Sequence, residues 1–454
     1  MNHTIAAIAT PPGIGGIAVI RISGEAAIDI TDKIFKGKTK LSQAPSHTVH
    51  YGFIINDKGE KIDEVLVTIM LAPKSFTTEN TVEISTHGGT VCVNKVLDAV
   101  IKAGAVMAEP GEFTKRAFLN GRIDLSQAEA VIDVINSTNE LSQRNALSQL
   151  EGGLSKEILD VRGQLVSLAA RMQVLIDYPD EDLADVSESE IYEIVIKCKN
   201  QVQSLLNTAD SGKIIRDGIK TAIAGKPNVG KSSLLNSLSK ADRAIVTDIA
   251  GTTRDVIEEY INLNGVPLLL TDTAGIRDTD DTVEKLGVER SRRSIDEADL
   301  VLTVLDASSQ LSDEDKEVLA HTKNKNRIII INKTDLANAD FADKLRADGN
   351  TVIETSTLTG MGLDTLADEI KKIYKLGKLE QGNGTIITNM RHKKSLINAH
   401  EALSRASDAL SSGLPTDIAS IDINEAINTL GEIIGETVSE SIVNEIFHNF
   451  CVGK

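Results

Sequence analysis

The chain has 454 residues, enough for roughly three domains, and its 41% hydrophobic and 25% charged residues are typical of globular protein. Its 48 basic and 66 acidic side chains give a net charge of −18, which argues against a protein that coats nucleic acid non-specifically. Three distant cysteines offer no disulfide framework or zinc quartet, and no long apolar run occurs, so we expect a cytoplasmic protein with no membrane association.

The first segment, residues 1–120, has the pattern of an α+β domain. Strands are predicted at 17–20 and 65–70, with a hairpin turn at 57–59. One helix is predicted over 91–103, because its apolar residues recur at helical spacing.

Residues 121–215 have helical periodicity instead. One apolar face is predicted at Ala128, Val131, Ile132 and Ile135. A longer helix carries a heptad seam of Leu154, Ile158, Val161, Leu165, Leu168, Met172 and Leu175. We expect it to end before Pro179, since proline breaks a helix.

Helical periodicity returns in residues 378–454, and the segment between, 216–377, alternates strands and helices. The economical interpretation is an all-α domain interrupted by an inserted α/β domain. Two separate helical domains remain the alternative.

The inserted segment contains a phosphate-binding motif. A predicted strand, 219–224, leads into Gly225-Lys226-Pro227-Asn228-Val229-Gly230-Lys231-Ser232, a complete G-x-x-x-x-G-K-S loop, and then into a helix. Glycine lets the backbone N–H groups point at phosphate oxygens, at a helix N-terminus that favours anions. Lys231 should reach the β- and γ-phosphates, and the Ser232 hydroxyl should hold Mg²⁺.

Further segments follow in the order that a P-loop GTPase needs. Gly251-Thr252-Thr253 offers a threonine to Mg²⁺, and Asp272-Thr273-Ala274-Gly275 offers a carboxylate to the metal and an N–H to the γ-phosphate. The carboxylate of Asn332-Lys333-Thr334-Asp335 accepts both donors of a guanine edge. Adenine would leave that acceptor unpaired, at about 1–3 kcal/mol. Ser356-Thr357-Leu358 is a weak match to the fifth segment, and we predict a GTPase domain.

The residue after Gly275 departs from Ras-type chemistry. Ile276 stands where those enzymes place the glutamine that orients the attacking water. Arg277 is interpreted as a solvated charge, with an arginine finger as the alternative. The acidic residues that follow either form a solvated switch loop or supply a substitute: Asp278, Asp280, Asp281 and Glu284.

The whole chain resembles the bacterial tRNA-modification GTPases of the MnmE (TrmE) family. Besides the GTPase segments, three runs carry the resemblance. They are Thr10-Pro11-Pro12-Gly13-Ile14-Gly15-Gly16 with Arg21-Ile22-Ser23-Gly24; Pro110-Gly111-Glu112-Phe113-Thr114-Lys115-Arg116-Ala117-Phe118-Leu119-Asn120; and Phe450-Cys451-Val452-Gly453-Lys454.

The resemblance implies several ligand sites. A tetrahydrofolate derivative would bind in the N-terminal domain, which would also form a homodimer, through Arg21, Glu83, Arg122 and Lys454. Mg²⁺ would bind Ser232 and Thr253, K⁺ would bind Asn228, Thr247, Ile249 and Thr252, and Glu284 would orient the water. The nucleotide-binding set would be Asn228, Val229, Gly230, Lys231, Ser232, Ser233, Thr247, Asp248, Ile249, Ala250, Gly251, Thr252, Thr253, Asp272, Thr273, Ala274, Gly275, Asn332, Lys333, Asp335, Ser356, Thr357 and Leu358.

The resemblance also implies a reaction and partners. GTP hydrolysis would accompany the addition of an aminomethyl or carboxymethylaminomethyl group to C5 of the wobble uridine of certain tRNAs, with a FAD-dependent partner, MnmG (GidA). The net charge of −18 leaves the tRNA contact unplaced; Lys115, Arg116 and Arg122 form one modest basic stretch. Cys451 is either a packed thiol or a nucleophile. A regulatory, ribosome-associated GTPase is the alternative function.

Overall fold

The computed structural model describes residues 3–177, 187–241, 259–271, 292–336, 342–374, 376 and 385–454. They form two compact units. Unit 1 comprises Met1–Ile135, Ser148–Cys198 and Glu401–Lys454, and unit 2 comprises Asn136–Leu147 and Lys199–His400. Two long helices, Glu188–Asp217 and Met390–Ser411, each contribute residues to both units.

Unit 1 contains a seven-stranded sheet with the order β3-β4-β5-β6-β2-β1-β7. The strands are β1 (Ile5–Ile8), β2 (Ile17–Ser23), β3 (Phe35–Gly37), β4 (Thr48–Ile55), β5 (Lys61–Met70), β6 (Thr81–His87) and β7 (Val106–Met107). Neighbours are antiparallel except β1 and β7, which run parallel. The register of β2 and β6 places Arg21 directly opposite Glu83, so that both side chains share one face of the sheet.

Three helices accompany this sheet, where the sequence pattern predicted one. The predicted helix is α2 (Thr90–Lys102), whose buried residues include Val93, Val96, Leu97 and Val100. The prediction missed α1 (Ala27–Ile34) and α3 (Glu112–Leu119). Both have only eight residues, too few to show a clear period, and their stability comes from the tertiary packing of one buried face.

The remaining helices of unit 1 bury long apolar faces. They include α4 (Leu125–Asn136), α6 (Gly153–Asp177), α13 (Thr416–Ile434) and α14 (Glu440–His448), and the α5 helix (Glu140–Leu150) lies between α4 and α6 in sequence. The predicted heptad seam on α6 is buried from Leu154 to Met172, and α6 packs against α13. Helix α6 extends to Asp177, the last described residue before Pro179.

The predicted apolar face of α4 is partly wrong. Ile135 is exposed, while Glu129 and Asp133 are buried on the same helix. Helix α4 therefore turns a polar edge inward, which an apolar periodicity does not detect.

Unit 2 contains a six-stranded sheet with the order β13-β12-β11-β8-β10-β9. The strands are β8 (Ile219–Ala224), β9 (Glu259–Leu263), β10 (Val266–Leu270), β11 (Leu300–Asp306), β12 (Arg327–Asn332) and β13 (Val352–Glu354). All pairs are parallel except the edge pair β9 and β10. Parallel strands buried on both faces read as continuous apolar runs, and β12 (Arg-Ile-Ile-Ile-Ile-Asn) is such a run.

Helices surround this sheet and complete the α/β architecture. Those that pack on it are the end of α7 (Glu188–Asp217) at Ile215, α8 (Lys231–Ala241), α9 (Asp313–His321), α10 (Ala342–Ala347) and α11 (Leu363–Ile373). The α12 helix (Met390–Ser411) follows them in the chain. The loops at the carboxyl ends of β8, β11 and β12 lie at one edge, where open α/β sheets bind ligands. Among the helices of the described residues, none has an apolar stretch long enough to span a bilayer.

Candidate functional site

The loop between β8 and α8 has a backbone that only certain residues adopt. Asn228 and Gly230 both have positive φ, +65° and +99°. A Cβ atom on Gly230 would lie 2.2 Å from Nδ2 of Asn332. Glycine is therefore required at 230 both by conformation and by the close approach of the neighbouring loop.

The Lys231 side chain folds back onto the start of this loop. Its ammonium group donates to the carbonyl oxygens of Gly225 at 2.7 Å and Lys226 at 2.8 Å. Burial lowers the pKa of Lys231 below its usual value, because the charged form loses hydration there. A half-buried cation at the N-terminus of α8 is a strong attractor for an anion such as phosphate.

The loop after β12 is tied to the phosphate loop by two side chains. Asn332 donates to the carbonyl oxygen of Val229 at 3.1 Å, and its own Oδ1 accepts the N–H of Thr357 at 3.2 Å. Lys333 donates to the carbonyl oxygen of Asn228 at 2.9 Å and to Asp306 at 2.6 Å. Burial alone would raise the pKa of Asp306, but hydrogen bonds from Lys333 and Ser308 lower it on balance.

The carboxylate of Asp335 is held in place by the third loop. Ser356 donates to Asp335 Oδ1 at 2.6 Å, while Leu358 is largely exposed. The Ser237 hydroxyl of α8 donates to the carbonyl oxygen of Thr357 at 2.9 Å. One edge of the sheet thus presents a cation at the phosphate loop and a fixed carboxylate beyond it, the pattern that suits a guanine nucleotide.

Other predicted nucleotide and metal residues lie outside the described residues. These are Thr247, Asp248, Ile249, Ala250, Gly251, Thr252, Thr253, Asp272, Thr273, Ala274, Gly275 and Glu284. Ser232 and Ser233 stand in the first turn of α8, next to Lys231. In the part of the chain that the structure describes, no cluster of three His, Cys, Asp or Glu side chains is placed to hold a metal.

A second charged site lies in unit 1, where the last residues of the chain reach the sheet. Arg21 donates to Glu83 at 2.9 Å and to the carbonyl oxygen of Gly453 at 3.1 Å. The Arg21 guanidinium lies 5.7 Å from the ring centroid of Phe113. Burial and the nearby Arg21 charge lower the pKa of Lys454, so two cations converge there.

Arg122 belongs to the same end of unit 1. Its guanidinium donates to the carbonyl oxygen of Ser75 and lies 5.5 Å from the ring centroid of Phe76. Phe76 in turn packs against the apolar cluster that contains Phe113, under Arg21. Arg21 thus contacts Glu83 and the end of the chain over Phe113, and Arg122 lies over Phe76, which packs against the same apolar cluster.

Comparisons with known proteins match the whole chain. The MnmE helical domain matches residues 125–451, and the GTP-binding protein TrmE N-terminus matches residues 4–122. The chain belongs to the MnmE family of tRNA modification GTPases. These matches confirm the predicted fold class, an α+β N-terminal domain and a helical domain interrupted by an α/β P-loop domain.

Curated relatives extend over nearly the full length. The tRNA modification GTPase MnmE of Acetivibrio thermocellus is 48% identical over 100% of this chain and 99% of its own length. That of Ligilactobacillus salivarius is 49% identical over 99% of this chain and 98% of its own. That of Listeria welshimeri is 48% identical over 99% of both chains.

The structure buries one of the three cations of the basic stretch. Arg116 is 2% exposed and donates to Glu112 at 2.7 Å and to Glu79 at 3.1 Å. Arg122 is exposed, with its guanidinium donating to the carbonyl oxygen of Ser75, and Lys115 is half-buried, with its ammonium donating to Asn444. Arg116 therefore does not contribute to a surface stretch, whereas Lys115 and Arg122 reach the surface.

The sequence analysis also missed Glu79, which sits at the centre of a polar network. Its carboxylate accepts from Arg116 and from the Ser23 hydroxyl, the latter at 2.7 Å. Its carbonyl oxygen accepts from the Ser75 hydroxyl. Nothing local in the sequence marks Glu79, since the partners of its carboxylate, Ser23 and Arg116, are distant in the chain. Cys451 has an exposed side chain, and its carbonyl oxygen accepts the N–H of Gly111 at 3.3 Å.

Proposed function

We propose that this protein hydrolyses GTP and couples the hydrolysis to adding an aminomethyl or carboxymethylaminomethyl group at C5 of the wobble uridine of certain tRNAs. The observation that carries the proposal is the pairing of two sites in one chain. Lys231 and Asp335 form the nucleotide edge of unit 2, and Arg21 and Glu83 form the charged site of unit 1. Membership of the MnmE family supports joining them in one cycle.

The nucleotide edge offers ligands for two cations. Mg²⁺ prefers hydroxyl and carboxylate oxygens and would be held by Ser232 and Thr253, where it would neutralise phosphate charge. K⁺ would be held by Asn228, Thr247, Ile249 and Thr252. Asn228 is exposed in the loop, and its carbonyl oxygen is already taken by Lys333, which leaves the side-chain amide oxygen for the cation.

A monovalent cation beside the phosphates would supply the positive charge that an arginine finger gives elsewhere. We therefore expect faster GTP turnover in K⁺ than in Na⁺ at equal ionic strength, measured by phosphate release. Asn228→Ala should abolish the difference. Equal rates in the two salts for the unmodified protein would remove K⁺ from the proposal, whatever the GTP affinity.

Glu284 is the proposed water-orienting residue of the same reaction. Glu284→Ala should reduce the rate of GTP turnover and leave nucleotide affinity nearly unchanged, because a group that acts only on water contributes little to ground-state binding. A large loss of GDP affinity in this variant would assign Glu284 to binding or folding instead.

The charged site of unit 1 suits a tetrahydrofolate derivative. A carboxylate such as Glu83 matches the donor edge of a pterin, and the cations Arg21, Arg122 and Lys454 match a glutamate tail. Isothermal titration with tetrahydrofolate should show binding that Arg21→Ala weakens and Lys316→Ala leaves unchanged. Lys316 is a suitable control because it lies in unit 2 in an exposed ion pair. Absence of binding would argue against the folate site.

The proposal includes a homodimer formed through residues 1–120, cytoplasmic location, tRNA as substrate and a FAD-dependent partner, MnmG (GidA). Support for the dimer comes from the sheet of unit 1, which exposes Val49, Tyr51 and Leu66 on adjacent strands β4 and β5. Contiguous apolar surface of this kind marks an interaction site.

Nucleoside analysis of tRNA tests the reaction itself. Bulk tRNA from cells without this protein should lack the C5 modification of the wobble uridine, and the unmodified gene should restore it. Lys231→Ala should fail to restore it, because the phosphate loop then loses its cation. An unchanged wobble uridine in the deletion would favour the alternative, a regulatory ribosome-associated GTPase.

A further inference from the structure

The second residue of the phosphate loop, Lys226, has an unusual anchor. Its ammonium group points away from the loop and donates to Asp315 Oδ2 at 2.7 Å and to the Ser312 hydroxyl at 3.2 Å. The two paired side chains are 19% and 4% exposed, so this ion pair is shielded from water on the carboxylate side. Shielded pairs resist salt screening and hold their geometry better than surface pairs.

Asp315 is fixed from its own side by the start of α9. Its Oδ2 accepts the N–H of Ser312 at 2.9 Å, while its own N–H donates to the Ser312 hydroxyl at 3.3 Å, which completes a capping box. Asp315 Oδ1 is buried and has no hydrogen-bond partner among the described residues. Burial alone would raise the pKa of Asp315, but hydrogen bonds from Lys226 and Ser312 lower it on balance.

The backbone of Lys226 meets the phosphate-facing side of the same loop. Its carbonyl oxygen accepts from the Lys231 ammonium at 2.8 Å, as does that of Gly225 at 2.7 Å. On the other side, a Cβ on Gly225 would lie 2.5 Å from the carbonyl oxygen of Val304 in β11. The first two residues of the loop are thus clamped between β11 and α9, and their carbonyl oxygens set where Lys231 rests.

We infer that Lys226 and Asp315 are a positioning pair, which orders the phosphate loop and so places Lys231 for the β- and γ-phosphates of GTP. The inference deepens the proposed GTPase function and rests on it. The pair acts through the backbone of residues 225–226, because the Lys226 ammonium is bonded to Asp315 while its carbonyl oxygen is bonded to Lys231. Loss of the pair should therefore weaken binding of nucleotides that carry β- and γ-phosphates more than binding of GMP.

The test compares Lys226→Met and Asp315→Asn with a matched control on the same helix. Lys316 and Asp313 form a pair of similar length, 2.8 Å, but their side chains are 64% and 97% exposed. Affinity for GTP, GDP and GMP would be measured by titration on the full chain. We expect Lys226→Met and Asp315→Asn to lose about tenfold or more for GTP and GDP, because nucleotide binding must then supply the loop order that a charged hydrogen bond otherwise maintains. Lys316→Met should lose nothing.

Three further results decide between positioning and general destabilisation. Lys226→Arg should restore most of the GTP affinity, because the charge and donors return. The double variant should lose no more than the worse single variant, since both break one interaction. GMP affinity should change less than GTP affinity. An equal loss for all three nucleotides, additive single effects, or unchanged GTP affinity in a folded Lys226→Met would overturn the inference.

The two proposals fail separately. If the unmodified protein does not bind GTP, the proposed function is wrong. If it binds GTP and the Lys226 and Asp315 variants bind it equally well, only the positioning pair is wrong. Urea unfolding of each variant, followed by circular dichroism, establishes that the titrated protein is folded.

Discussion

At the scale of single residues, the phosphate loop and the loop after β12 depend on left-handed backbone conformations. Asn228 and Lys333 have the same positive φ, +65°, and the side chain of one bonds to the carbonyl of the other. A left-handed lysine costs about 1–2 kcal/mol, whereas asparagine adopts this backbone more readily. The strained Lys333 beside Asn228 indicates that the surrounding hydrogen bonds determine this conformation.

Gly230→Ala should remove most nucleotide binding. The substitution adds a left-handed alanine, at about 1–2 kcal/mol, and places its Cβ 2.2 Å from the Asn332 amide, which must then release Val229. We expect GDP affinity to fall by at least about tenfold in a titration. Gly349→Ala is the control, because Gly349 also has positive φ but a Cβ there meets nothing within 4 Å. Equal affinities in the two variants would contradict the steric argument.

At the scale of elements, the sequence predicted those helices whose apolar residues recur with a regular period. The six leading residues of the α6 seam are buried because a heptad repeat brings them to one side of a 25-residue helix. The short helices α1 and α3 and the polar inner edge of α4 were not predicted, since they depend on distant partners. Arg116 illustrates this: it reads as one of three surface cations, yet its charge is buried by Glu79, 37 residues away.

Arg116→Met should destabilise unit 1 severely. It leaves the Glu112 and Glu79 carboxylates without their cation in a largely buried site, and breaking such a pair costs about 3–5 kcal/mol. The free energy of unfolding in urea would measure this. Arg144→Met is the control, because the pair of Arg144 with Glu140 is exposed and should change stability by about 0.5 kcal/mol or less. A loss below about 1 kcal/mol in Arg116→Met would show that the network is not stabilising.

The exposed apolar residues on the unit 1 sheet lead to a prediction about the homodimer. Leu66→Lys places a charge where Tyr51 and Leu66 stand opposite each other, so a dimer through this face should dissociate. Sedimentation equilibrium at micromolar concentration should give half the mass of the unmodified protein. Ile421→Lys, at a still more exposed apolar residue on α13, should keep the dimer. A dimeric Leu66→Lys variant would place the interface elsewhere.

At the scale of the whole molecule, the nucleotide site and the charged site differ in how far sequence reveals them. Lys231 and its loop are contiguous, so spacing alone predicted them. Arg21 bonds to a carbonyl 432 residues later, and no local pattern connects the two. Only the family resemblance brought Arg21, Glu83 and Lys454 together beforehand, and the register of β2 with β6 gives the physical reason for the pairing of the first two.

Gly453 makes the contact of the chain end with the sheet testable. Its φ is +92°, and a Cβ there would lie 2.3 Å from the carbonyl oxygen of Ile8. Gly453→Ala should therefore push the last residues off β1, withdraw the acceptor of Arg21 and displace Lys454. We expect tetrahydrofolate affinity to fall about tenfold or more, as for a lost charged hydrogen bond.

GDP affinity distinguishes a local effect from unfolding, because the phosphate loop lies in unit 2. It should be unchanged in Gly453→Ala, measured by titration under the same conditions. Gly413→Ala is the matched control: its φ is +69°, but a Cβ there meets nothing within 4 Å. If Gly413→Ala weakens folate binding as much as Gly453→Ala, the cause is backbone strain and not the lost hydrogen bond between Arg21 and Gly453. If neither does, the chain end does not help to form the folate site.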